Sequence, residues 1–376
     1  MDNKGLIFIP DISGFTKFMH ETELEHSEVI IQELLETIIN ANNIGLEISE
    51  IEGDAILFYK FGPPPAMDAL YKQVEKMFHD FHRYLQLYDM RRICQCEACK
   101  SASGLTLKVV SHYGEFKSLN IKNFAKSSAN LHGKDIIIAH QLMKNDIDLH
   151  EYWLVTDSLM PESLPDQMPD WLTWNNSAKH SEHGSIPYQY THLTPLKDEI
   201  PPATDPNLEI ANRVKVLSFT KEYDTDINNL FFTSIDFNQR ANWRVGIKKT
   251  DQVSTPLPQV GTRHRCILEK GQLDVNTSSF SYTPDKIIYS ETDVKKKFSS
   301  YNTYEKISEN KTRLTIDLYL KKNPVISFMF NLAMKKKFEK EFKQSMENLD
   351  ALLKSQQAES KHKHLEDAEV YVENPQ

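Results

Sequence analysis

One carboxylate directly behind an apolar strand, and a second after a glycine between two other strands, restrict this chain more than any other feature. The first follows the run Leu6 to Pro10 in Asp11-Ile12-Ser13-Gly14-Phe15-Thr16. The second stands in Glu52-Gly53-Asp54, between the β-like runs Leu46 to Ile51 and Ala55 to Phe61, a spacing that predicts a hairpin turning at Gly53. Carboxylates so placed can share one or two Mg2+ or Mn2+ ions, which in turn can hold a triphosphate. Without metal they repel, so one should keep its proton more tightly than a free Asp. The backbone amides of Ser13 to Thr16, opening a helix, suit phosphate oxygens.

The surrounding pattern supplies a scaffold. Glu25 to Ala41 repeats apolar residues at helical spacing, and Ala66 to Leu87 predicts a long amphipathic helix. Leu105 to Tyr113 and Glu115 to Ile121 predict a strand pair bending at Gly114, and Lys134 to Lys144 a helix in spite of the β-branched Ile136-Ile137-Ile138. This order predicts an α+β fold, an antiparallel sheet with helices gathered on one face, over residues 1–195. Residues 160–195 read as irregular cover with a last strand at Tyr188 to Leu193. Residues 196–212, with Pro201, Pro202 and Pro206, read as a linker. From 213 to 355 a strand, short helices, a succession of β-runs and one long helix from Pro324 to about Leu353 follow. The charged segment 356–376 reads as a disordered tail.

The Asp-Ile-Ser-Gly-Phe and Gly-Asp runs, in this order between these strands, resemble the metal-binding core of the class III nucleotide cyclases, whose domains have a ferredoxin-like sheet. The resemblance implies metal at Asp11, Ile12 and Asp54 and nucleotide at Gly14, Phe15, Thr16, Glu50 and Asn130. Glu50 falls at the base-reading position, although an exposed Glu on an acidic hairpin is the simpler account of it. The family's segment Gly-Asp-Thr-Val-Asn-x-Ala-x-Arg-Leu corresponds to Gly133 to Leu142, which puts Ile137 in place of the Asn and Gln141 in place of the Arg. Losing one such positioned donor typically costs about 3 kcal/mol of transition-state stabilisation. Residues 213–355, with Trp243 and Val260-Gly261-Thr262-Arg263, resemble the START-like helix-grip family (SRPBCC, or polyketide cyclase), which implies an apolar pocket for a hydrophobic small molecule.

Together the resemblances imply a catalytically degenerate cyclase-like domain that binds metal or nucleotide, fused to a ligand-binding domain, in a sensing role. Two alternatives stand beside it: an active cyclase acting on GTP or ATP, and a carrier of lipid or another hydrophobic ligand. Family cyclases build their sites across a head-to-tail dimer, so a homodimer is implied as well.

Three of the four cysteines crowd into Cys94, Cys96 and Cys99. In a chain of this kind the cluster points to zinc or another soft metal, with His79, His82 or His112 as candidate fourth ligands. A net charge of -9 argues against non-specific nucleic-acid binding. With mean hydropathy -0.51 and no apolar run near the roughly 20 residues a membrane span needs, the expected location is the cytoplasm.

Overall fold

The computed structural model describes all residues except 1–2, 21–23, 120–129, 163–164, 166–167, 182–183, 204–211, 253–258, 296 and 374–376. The chain divides into two compact units, Met1–Met90 with Gln95–Thr204, and Arg91–Cys94 with Asp205–Gln376.

The first unit runs β1 (Lys4–Ser13), α1 (Phe15–His20), α2 (Leu24–Asn40), β2 (Glu47–Glu52), β3 (Ala55–Phe61), α3 (Met67–Arg91), α4 (Glu97–Ser101), β4 (Thr106–Glu115), β5 (Lys117–Leu119), β6 (Asn130–His132), α5 (Lys134–Met143), β7 (Tyr152–Thr156), β8 (Asn175–Ser181) and β9 (Gly184–His192). Its main sheet has the order β2-β3-β1-β4-β7-β9-β8. β1 is central and buried along almost its whole length, which is why its sequence reads as a continuous apolar run.

The sheet is mixed where a purely antiparallel one was expected, because β4 and β7 pair in parallel. α5 lies between them in sequence and packs on β4, and a parallel pair requires such a crossover. Residues 160–195 also differ from the irregular cover read in the sequence. β8 and β9 form an antiparallel hairpin with Tyr188 buried and Ile186 and Tyr190 packed against the core. Polar Asn, Ser, Lys and His residues fill β8, so its alternation is invisible to a hydropathy pattern.

α5 is held by its first turn. Asp135 accepts the Glu115 N–H at 2.7 Å and meets His112 Nε2 at 2.9 Å, while His112 Nδ1 contacts Thr156 Oγ1 at 2.8 Å. Gly114 leaves room for this, since a Cβ there would stand 2.2 Å from the Asp135 Cγ. The apolar face of α5, Ile136, Ala139 and Leu142, is buried against Ile7, Ile9, Leu57 and Val110, which turns Ile137, His140 and Gln141 outward.

The second unit runs β10 (Arg213–Tyr223), α6 (Ile227–Ile235), α7 (Arg240–Trp243), β11 (Ile247–Gln252), β12 (Arg263–Leu268), β13 (Gln272–Thr283), β14 (Lys286–Asp293), β15 (Phe298–Ser308), β16 (Lys311–Lys321), α8 (Pro324–Met329), a π-helical turn (Phe330–Met334) and α9 (Lys335–Glu373). Seven antiparallel strands in the order β10-β16-β15-β14-β13-β12-β11 pack Leu217, Phe219, Ile316 and Leu318 against α6 and the α9 residues Phe342, Met346, Leu349 and Leu353. Asp226 caps α6 by accepting the Asn229 N–H at 2.9 Å. α9 continues to Glu373, where a disordered tail was expected. That stretch is rich in Ala, Glu, Gln and Lys and carries no Gly or Pro before Pro375, so helix propensity carries it on.

Candidate functional site

The register of β1 brings the two carboxylates together. Asp11 pairs with Ala55 of β3 on one side and Lys108 of β4 on the other, and the Ile12 N–H donates to the Asp54 carbonyl at 3.1 Å. Gly53, at φ +63°, makes the turn that delivers Asp54, a conformation a side chain would strain. The Asp11 and Asp54 carboxyls stand close enough for each to perturb the other, and Lys108 Nζ lies 3.2 Å from Asp11 Oδ2. Burial, and then the Asp11 charge, push the Asp54 carboxyl up to about 6. Burial raises that of Asp11 too, against the opposing pull of Lys108. Two carboxylates that repel hold on to a proton or take up a cation, and this pair already has one built-in cation.

The pair opens into a cleft of about 700 Å3 that is also lined by Ile12, Gly14, Phe15, Thr16, Ile137 and Gln141. Ile137 is 57% exposed, an apolar side chain facing the cleft. Among the described residues, Glu50 and Asn130 do not line the cleft. Glu50 stands with Glu52 beside His140, 3.8 and 3.6 Å from its ring nitrogens. Asn130 lies on the two-stranded β5-β6 sheet opposite Leu119.

The cysteines lie at and just before α4, with Cys94 and Cys96 half-buried. Cys99 is buried on α4, and α4 packs against α1 and α2. His26, near the start of α2, supplies the imidazole: its Nδ1 lies 3.2 Å from Cys96 Sγ and 3.6 Å from Cys99 Sγ. One ligand atom each from His26, Cys94, Cys96 and Cys99 all fall within 4.8 Å of one another. The histidines proposed from spacing are engaged elsewhere: His79 with the Leu196 carbonyl, His82 with Thr106, His112 with Asp135.

In the second unit a buried polar network spans the sheet. Arg240 joins Glu291 at 2.8 Å and His264 at 2.9 Å, and Tyr289 OH donates to the same Glu291 oxygen at 2.8 Å. Burial opposes the Glu291 charge, but Arg240 and His264 overcome it and hold the carboxyl down at about 2. Burial lowers His264 to about 4, so it is neutral at pH 7. A cavity of about 110 Å3 adjoins this network, and a largely apolar groove of about 910 Å3 lies along α8, the π-helical turn and α9.

Comparison with known proteins bears on both units. Residues 31–152 match the model of a family described as "Protein of unknown function (DUF2652)". The curated "Uncharacterized protein Rv2561/Rv2562" of Mycobacterium tuberculosis is 28% identical over 125 residues, 33% of this chain. The chain spans 56% of that relative's length. Similar solved structures include the catalytic core of a rhodopsin-guanylyl cyclase of converted specificity in complex with ATPalphaS, at 14% identity over 50% of this chain and 94% of that one, TM-score 0.35. The guanylyl cyclase Cya2 is 14% identical over 50% and 90% of the two chains, TM-score 0.34. A START superfamily protein from Mycobacterium smegmatis is 16% identical over 38% and 99%, TM-score 0.29. Among the described residues, no helix is long and apolar enough to cross a membrane.

Two participants escape a reading of the sequence. Lys108 reaches Asp11 only through the β1–β4 register, and nothing in its neighbourhood marks it. His26 lies 70 residues from Cys96, outside any metal-binding spacing motif.

Proposed function

We propose that the first unit binds a nucleoside triphosphate with Mg2+ or Mn2+ at Asp11 and Asp54 without cyclising it, and that the second unit binds a hydrophobic small molecule, the two serving a sensing role. The observation that carries this reading is the Asp11–Asp54 carboxyl pair, next to Lys108, in an open cleft. The donor set fits a divalent cation: two carboxyls already in contact share negative charge that a metal neutralises better than a proton. Lys108, beside Asp11 in the same cleft, would be free to pair with a phosphate when the carboxylates hold a metal. Asp11 and Asp54 would hold a divalent ion, which would supply charge neutralisation to the phosphates. Ile137 and Gln141 offer neither the Asn amide nor the Arg guanidinium that a cyclising site uses, which favours binding over turnover.

The direct test is equilibrium dialysis of GTP and ATP with Mn2+ at pH 7.5. The intact chain is expected to retain nucleotide, and Asp54→Asn to lower its affinity at least tenfold. Equal retention by the variant would detach binding from the carboxylate pair.

Zinc is the ion that best suits the cysteine cluster. Bonds of roughly 2.0–2.3 Å to nitrogen and sulfur at a tetrahedral centre put ligand atoms about 3.3–3.8 Å apart. Of the distances from His26 Nδ1 to the two sulfurs, 3.6 Å falls within that spacing and 3.2 Å lies about 0.1 Å short of it. Such a site would fasten α4 to α2 beside α1, whose Phe15 and Thr16 line the cleft. Elemental analysis of protein purified without chelator should find one zinc per chain. His26→Ala should lose it and melt roughly 5–10 °C lower, the shift expected for about 2–3 kcal/mol in a domain of this length. Full zinc occupancy in that variant would remove His26 from the ligand set.

A further inference from the structure

The second unit contains two arginines four residues apart whose surroundings differ. Arg240 is tied to Glu291 and His264. Arg244, just past the end of α7, has its guanidinium carbon 3.9 Å from the centre of the Phe342 ring and 5.6 Å from that of Trp243. Among the described residues no carboxylate pairs with it and no side chain or carbonyl accepts from its guanidinium. Burial draws Arg244 down to about 10 against the pull of the Glu291 charge, with Arg240 adding to the fall, so it remains charged at neutral pH. Arg244 is half-buried, and a guanidinium in a cavity wall with no fixed partner of its own is available to an anion that arrives from outside.

Arg244 lines both the inner cavity and the apolar groove, so it stands where the two meet. The other charges along the deep wall are already engaged: Glu291 by Arg240, and Asp293 by the Phe298 N–H at 2.6 Å. Away from Arg244 the groove is lined by Leu273, Phe330, Met334, Phe338 and Phe342, with Glu269, Lys270, Lys297, Lys337 and Glu341 among them. Its outer wall is the π-helical turn, an irregularity often found at functional sites, and α8, where Val325 and Met329 are exposed.

We propose that this groove takes an apolar chain ending in a single carboxylate, with the acid group paired to Arg244 and the chain laid along Phe330, Phe338 and Phe342. The inference rests on the reading of the second unit as a hydrophobic-ligand site and specifies the class of ligand. A neutral ligand would leave Arg244 uncompensated. A phosphate dianion held at Arg244 would bring a second negative charge toward Glu291 and Asp293 on the deep wall, whereas Lys270, Lys297 and Lys337 line the groove itself. A carboxylate matches guanidinium geometry through two parallel hydrogen bonds.

The test titrates delipidated full-length protein with oleate, methyl oleate and oleyl phosphate, using displacement of a fluorescent probe. Oleate is expected to bind at least tenfold more tightly than its methyl ester and more tightly than the phosphate. Arg244→Met should lower oleate affinity about tenfold while leaving the ester within twofold, and Arg244→Lys should restore most of the loss. If acid and ester bind the unmodified protein equally, the role of Arg244 is overturned while the apolar site stands. If neither binds, the reading of this unit as a hydrophobic-ligand site falls, and the carboxylate proposal with it. Stronger binding of oleyl phosphate would also overturn the choice of a monoanion. The comparison of acid with ester needs no variant, so a misfolded Arg244→Met protein does not remove the test.

Discussion

Glu291→Gln is expected to destabilise the second unit by about 3–5 kcal/mol, the cost of removing one partner from a buried ion pair. Glu291 receives Arg240 and the Tyr289 hydroxyl on one oxygen, and His264 is neutral at pH 7, so no other charge replaces it beside Arg240. The amide would keep the shape but leave the buried guanidinium uncompensated. Removing both charges is a different matter. The double variant Arg240→Met with Glu291→Leu should recover most of the loss, because well-packed apolar groups often equal a buried ion pair. Urea unfolding of the single and double variants, followed by Trp243 fluorescence, measures both. A single variant within about 1 kcal/mol of the parent would mean that Arg240 finds another partner and that the network does not support the cavity wall.

Asp54→Asn is expected to act in the opposite direction on stability while removing function. The Asp54 carboxyl is raised to about 6 in the folded protein against an unfolded value near 3.8. The native state therefore binds this proton more tightly, and stability contributed by it is present at low pH and is lost as pH rises from about 4 through about 6. Above that window the carboxylate repels Asp11 in a partly buried site. The asparagine variant should match the parent near pH 4 and exceed it by about 1 kcal/mol at pH 7.5, solvent screening keeping the gain modest. Mn2+ should raise the melting temperature of the parent at pH 7.5 and leave the variant unchanged. A residue whose removal stabilises the fold but abolishes a metal response is retained for binding. Equal stability across this range, or an equal Mn2+ response in the variant, would reduce Asp54 to a turn residue.

The sequence was most informative where the local pattern and the tertiary role coincide. The buried strand β1 reads as an apolar run, the Gly53 turn reads from its glycine, and the strands of the second unit read from alternation, so the residue pattern alone places both carboxylates at strand ends. β8 and β11 were missed because their polar and charged residues show no apolar alternation. The parallel β4–β7 pairing depends on where the chain returns after α5 and leaves no local signature. The site was partly legible for the same reason. Asp11, Gly14, Phe15, Thr16, Ile137 and Gln141 meet in one cleft, as the motif order implies, while Lys108 and His26 join their partners only through register and helix packing. Arg244 carries no sequence signal, since its importance lies in the counter-ion it lacks among the described residues.

The most direct test of binding without turnover is incubation of the intact chain with GTP or ATP and Mn2+, with bound nucleotide and cyclic product measured in the same samples. Retained nucleotide with no cyclic product above a protein-free control is the expected result. Cyclic product that disappears in Asp54→Asn would contradict it, showing that a cleft with Ile137 and Gln141 in place of Asn and Arg still stabilises the transition state.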